Sequence, residues 1–180
     1  MDLDPLVAYL IPKACAWISE QRELHRIEAE LLDARVSQVL APFYATKTLE
    51  RARFRVVEHI ENPPFYIELA SLLPGIPLIE FSDMHGITFD DTVLLSRSRL
   101  GSDLLSVVFH ELVHVSQYAT LGISDFASRY VRGWAANGMD YWRIPLEHDA
   151  FELQERFDHG QCFSVESAVA QQLSVRGSGT

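Results

Sequence analysis

One segment constrains the fold more than any other. From Leu104 to Leu121 the chain is apolar on nearly every side of a helix, with Leu104, Val107, Val108, Phe109, Leu112, Val113 and Val115 spread around it. A helix without a broad polar face must be enclosed by other elements, so this one is predicted to lie in the middle of the molecule. Ser102 or Asp103 can cap its first turn, where backbone N–H groups lack partners, and Gly122 is a natural stop.

The rest of the chain supplies what could enclose it. From Asp4 to Leu40 apolar residues including Ile18, Leu24, Ile27, Leu31 and Val36 recur at helical spacing, which predicts two helices broken near Pro12. A short helix is predicted over 42–51 and a strand over 52–60, ended by Asn62-Pro63-Pro64. Turns and one or two short strands are expected over 65–82, then a strand over 86–95. Ser124 can start a helix to Ala136, and Pro145 opens a last major helix to about Phe157. The tail from Ser167 is expected to fray. The fold class is therefore α+β: one domain over 1–180, with N-terminal helices in 1–60, a small mixed sheet, and the central and C-terminal helices in 86–157.

Composition narrows the function classes. The chain has 180 residues, 48% of them hydrophobic and 22% charged, enough for a compact domain that buries roughly 70% of its unfolded surface. Twenty-five acidic residues against fifteen basic ones, a net charge of −10, argue against nucleic acid as a partner, because phosphate neutralisation drives that binding. Arg51, Arg53 and Arg55 alternate with Phe54 and Val56 and fit the wet side of a strand. The start, Met-Asp-Leu-Asp, lacks a basic n-region, and its apolar run is cut by Pro12 and Lys13, so neither a signal peptide nor a membrane span is predicted. Cys15 and Cys162 form no Cys-x-x-Cys pair, which points to a reduced, cytoplasmic protein without thiolate metal ligation. Nothing in the sequence signals an oligomeric state.

The central helix carries His110-Glu111-Leu112-Val113-His114. At about 100° per residue the two histidines lie about 40° apart on one face, with Glu111 about 60° beyond His114. Two imidazoles so placed can hold one Zn²⁺ while the carboxylate takes the proton of a water on that ion. The bland alternative is a pair of hydrogen-bonded histidines. The apolar setting weighs against it, since two half-buried rings need partners and a metal serves both.

A catalytic zinc takes three protein ligands. An extended motif with Gly at position 117 and His at 120 is excluded by Gln117 and Thr120. Glu147 is the leading candidate, because it shares a helix face with Ala150, Phe151 and Gln154 beside Leu146, Leu153 and Phe157. As a first-turn acid it could instead serve the helix dipole. Asp125, soon after Gly122, is the rival; His85 and His159 are remoter options. Tyr118, Tyr141 and His148 are candidate donors for a developing oxyanion.

The segment 86–157 resembles gluzincin-type zincin metallopeptidases, and within them the compact bacterial forms whose motif helix reads His-Glu-Leu-x-His-x-x-Gln, here His110 to Gln117. The resemblance implies zinc bound by His110, His114 and Glu147, Glu111 as general base, and a peptide or protein substrate laid as an added strand along Ile87-Thr88-Phe89. In many relatives an Asp four residues after the ligand Glu holds the first histidine's ring; here Phe151 stands there. The competing expectation is a non-catalytic binding or regulatory module with a structural or lost metal, for which Glu111 would be unnecessary. The small size predicts a shallow, open cleft with broad or partner-dependent activity, and the negative charge predicts basic or neutral peptides.

Overall fold

The computed structural model describes residues 3–72, 74–99, 101 and 103–177. The chain runs α1 (Asp4–Arg26), α2 (Ala34–Leu40), α3 (Thr46–Arg51), β1 (Arg53–Val57), α4 (Tyr66–Leu72), β2 (Gly86–Phe89), β3 (Thr92–Ser96), α5 (Leu104–Ala136), α6 (Pro145–Asp158) and α7 (Val165–Gly177). The architecture is α+β. No helix among the described residues is long and apolar enough to cross a membrane.

α5 occupies the middle, as its all-round apolarity requires. Every residue from Val108 to Tyr118 is buried, three full turns with no face left to water. Helices α1, α6 and α7 and strand β2 pack around it. Asp103 stands at the N-cap position without a side-chain cap bond, and Ser102 lies outside the described residues. Gly122 breaks α5 with φ +70° and ψ 171°, a conformation that glycine adopts without strain. The break lets the second half of α5 turn Phe126 and Tyr130 back toward the first.

The sheet has the order β1-β3-β2, with β3 parallel to β1 and antiparallel to β2. The strand expected over 86–95 is therefore a hairpin. Asp90 takes φ +59° between β2 and β3, an angle that a short polar side chain tolerates. The two turn carboxylates are anchored: Arg22 contacts Asp90 and Asp91, Arg26 contacts Asp91 at 2.8 Å, and Arg51 reaches both. α1 and α3 are thereby tied to the hairpin that adjoins the motif helix.

Other expectations need correction. α1 continues through Pro12, because Val7 and Leu10 before it and Trp17 and Ile18 after it are all buried in one core; that packing offsets the lost hydrogen bond. The chain leaves the helix at Ile27 instead, and Glu30 bridges to Phe54. Leu24, Ile27 and Leu31 are consequently exposed. Residues 65–82 form α4 and a 3-10 turn at Phe81–Asp83, with no strand among the described residues. The tail is helical to Gly177, because Val165, Val169 and Leu173 recur every fourth residue and bury one stripe. Residues 178–180 lie outside the description.

Candidate metal centre

α5 and α6 pack side by side and bring three donor atoms together. His114 Nε2 lies 3.1 Å from His110 Nε2, and Glu147 Oε2 lies 3.3 Å from each ring nitrogen. All three side chains are buried. Glu147 faces the histidines because Pro145 starts α6 close against α5: a Cβ on Gly133 would stand 2.5 Å from Pro145 Cδ. Asp125, His85, His148 and His159 are exposed and outside this group.

The outer ring nitrogens decide which atoms face inward. His110 Nδ1 meets Gln154 Oε1 at 3.0 Å, and His114 Nδ1 meets Gln117 Oε1 at 2.8 Å. The amide orientations follow from the other contacts: Gln117 Nε2 donates to the Leu146 carbonyl, and Gln154 Nε2 donates to Ser106 Oγ, whose own proton goes to Asp158. Each imidazole thus donates from Nδ1 and turns its Nε2 lone pair toward the other ring and a carboxylate. Three lone pairs at such separations repel unless a cation lies among them. A divalent metal satisfies that requirement with a nitrogen, nitrogen and oxygen donor set suited to zinc.

A proton is the other candidate cation. Burial lowers the His114 pKa, but the charge and hydrogen bond of Glu147 outweigh it and bring the value to about 9. Burial would raise Glu147, yet His114 and His110 hold it well below the usual carboxylate range.

The site has more support than its motif announces. Tyr130 and Tyr141 donate to Glu147 Oε1 and Oε2 at 2.8 and 2.9 Å. Phe151, where relatives of the resembled type carry an Asp, packs its ring 4.5 Å from that of His110. The polar support for His110 comes instead from Gln154, two turns after Glu147, at the head of the relay to Asp158. Gln154 and Gln117 were legible as polar residues on the ligand faces; nothing in the local pattern pointed to Tyr130.

Glu111 sits under the sheet edge. Thr88 Oγ1 donates to its Oε2 at 2.7 Å, and a Cβ on Gly86 would lie 2.7 Å from its Oε1. Burial raises its pKa, while His110, His114 and the Thr88 hydrogen bond act in the opposite direction. β2 is an edge strand with β3 as its only partner among the described residues. Of the three candidate oxyanion donors, Tyr141 touches the cluster, Tyr118 stacks on Phe126, and His148 faces solvent.

A cavity of about 120 Å³ opens beside the cluster, walled by α1, α5, β2 and the segment preceding β2. His110, Glu111, His114 and Glu147 are each only 5–6% exposed. The cleft is therefore recessed rather than shallow, because α1 and the segments 63–66 and 78–84 wall it. A comparison of the chain with protein families, with curated proteins and with solved structures finds no match.

Proposed function

We propose that the protein is a zinc-dependent metallopeptidase of gluzincin type, with His110, His114 and Glu147 as ligands and Glu111 as general base. The observation that carries this reading is the convergence of two imidazole lone pairs and a carboxylate oxygen, each held by its own hydrogen bonds, with a second buried carboxylate alongside. A structural metal would have no use for that second carboxylate. The motif helix beneath an edge strand, followed by a glutamate on a later helix, supports the zincin comparison.

A bound zinc would polarise the scissile carbonyl and acidify a water molecule. Glu111 would be the residue placed to accept a proton from the attacking water and to return it to the leaving amine. Thr88 fixes the direction of the Glu111 carboxylate, and Gly86 lets β2 approach it closely. The outer edge of β2 at Gly86 and Ile87, half-buried beside the cavity, offers backbone groups to an extended peptide. Tyr130 and Tyr141 hold Glu147, and Tyr141 can donate to an oxyanion only by releasing Glu147 Oε2.

The test compares zinc content and peptide hydrolysis in the wild type and Glu111→Gln. Stoichiometric zinc in both, with hydrolysis reduced at least about 10³-fold in the variant, supports the reading. Wild-type protein that takes up no zinc sinks it. Equal zinc with no hydrolysis by the wild type favours the non-catalytic module.

A further inference from the structure

The cavity says more about the substrate than the ligands do. Leu10, Ala14 and Trp17 of α1 form one wall, Phe126 and Trp134 of α5 another, and Phe81 closes it from the segment before β2. Among the described residues no lysine, arginine or aspartate lines it, and the carboxylates that do are Glu111 and Glu147, already committed to the site. With the metal site occupied, a charged side chain entering would lose its hydration without gaining a partner. The volume of about 120 Å³ approaches that of an apolar protein cavity of roughly 150 Å³ that accepts benzene. Two polar groups stand apart. Trp134 Nε1 is buried without a hydrogen-bond partner among the described residues, and Tyr118, one turn beyond His114 and 2% exposed, lines the cavity with no side-chain hydrogen bond to another described residue.

We propose that this cavity is a specificity pocket for an uncharged, benzyl-sized group next to the scissile bond, with the Tyr118 hydroxyl bonding to a polar atom at the far end of that group. The substrates are then peptides bearing phenylalanine or, preferentially, tyrosine at that position. The net charge of −10 suggests basic or neutral peptides; the pocket narrows this to neutral ones. The proposal takes its scissile bond from the peptidase reading, but the pocket can be probed without metal or turnover.

Toluene and p-cresol are titrated into chelator-treated and zinc-loaded protein, benzylammonium into zinc-loaded protein, and all are followed by tryptophan fluorescence. Toluene and p-cresol should bind saturably, p-cresol roughly 3- to 10-fold more tightly, and benzylammonium at least about 10-fold more weakly than toluene. Ala14→Leu and Ala127→Leu, which fill the cavity from opposite walls, should each weaken both neutral probes by at least about 10-fold; an unchanged melting transition identifies the variant that remains folded. Tyr118→Phe should remove the p-cresol advantage and leave toluene binding intact. In the zinc-loaded protein, peptides with Phe or Tyr at the flanking position should exceed their Lys counterparts on the order of 10- to 100-fold in kcat/KM. Failure of toluene and p-cresol to bind, or equal binding of benzylammonium, overturns the pocket even if peptides are cleaved. Binding of the neutral probes without cleavage of any peptide leaves the pocket standing and overturns the peptidase reading.

Discussion

Replacing Gln154 by leucine tests the support of the metal site most directly. Gln154 Oε1 is the only acceptor for His110 Nδ1 among the described residues, at 3.0 Å, and the amide is fixed by Ser106 and through it by Asp158. Leucine preserves volume but leaves a buried imidazole N–H unpaired, a loss of about 1–3 kcal/mol. It also frees the ring to turn or to exchange tautomers, which puts a proton on the nitrogen that should face the metal. Loss of such outer partners typically weakens metal binding about 10- to 100-fold, which is about 1.4–2.8 kcal/mol and agrees with the hydrogen-bond figure. Zinc affinity measured by competition with a chromophoric chelator at pH 7.5 should fall by that factor in Gln154→Leu. Asp158→Asn, at the exposed end of the relay, should change it less than about 3-fold. Gln154→Glu should bind zinc at least as tightly as the wild type, because a carboxylate makes the ring a stronger ligand. A folded Gln154→Leu with affinity within about 3-fold of wild type would refute the assignment of Gln154 as the residue that orients His110.

Four further outcomes follow from the same geometry. In Gly86→Ala the new methyl group would meet Glu111 Oε1 at 2.7 Å, so zinc binding should persist while kcat/KM falls on the order of 10²-fold through displacement of the base; full activity in a zinc-loaded variant would contradict that role. Thr88→Val removes a hydrogen bond that lowers the Glu111 pKa, so the acid limb of the kcat/KM profile should move to higher pH, and an unshifted limb would rule Glu111 out as the titrating base. The His114 pKa of about 9 exceeds the unfolded value of about 6.5, so its contribution to the stability of chelator-treated protein is complete below about pH 6.5 and is lost as pH rises through about 9. Melting temperatures across that window should fall without zinc. Calorimetry at pH 7 in buffers of different ionisation enthalpy should register release of about one proton when zinc binds, and no buffer dependence would exclude a protonated His114.

The sequence by itself determined what local periodicity and termination signals encode. Three turns of apolar residues required a central helix, and Gly122 marked its break. The spacing of His110, Glu111 and His114 placed them on adjoining faces, and the pattern of α6 turned Glu147 toward the core. The sequence also carried the stripe of Val165, Val169 and Leu173 that makes α7 a helix, although the polar ending of the chain suggested fraying. Tertiary structure decided what lies across from each face. His110 and Gln154 are 44 residues apart, Thr88 and Glu111 are 23 apart, and the α1 wall of the cavity comes from nearly one hundred positions before the motif. Pro12 illustrates the same division: its local preference is to end a helix, and burial of Trp17 and Ile18 against the common core overrides it. The period of a helix or strand tells a side chain which way to point; only the packing of distant segments gives it a partner.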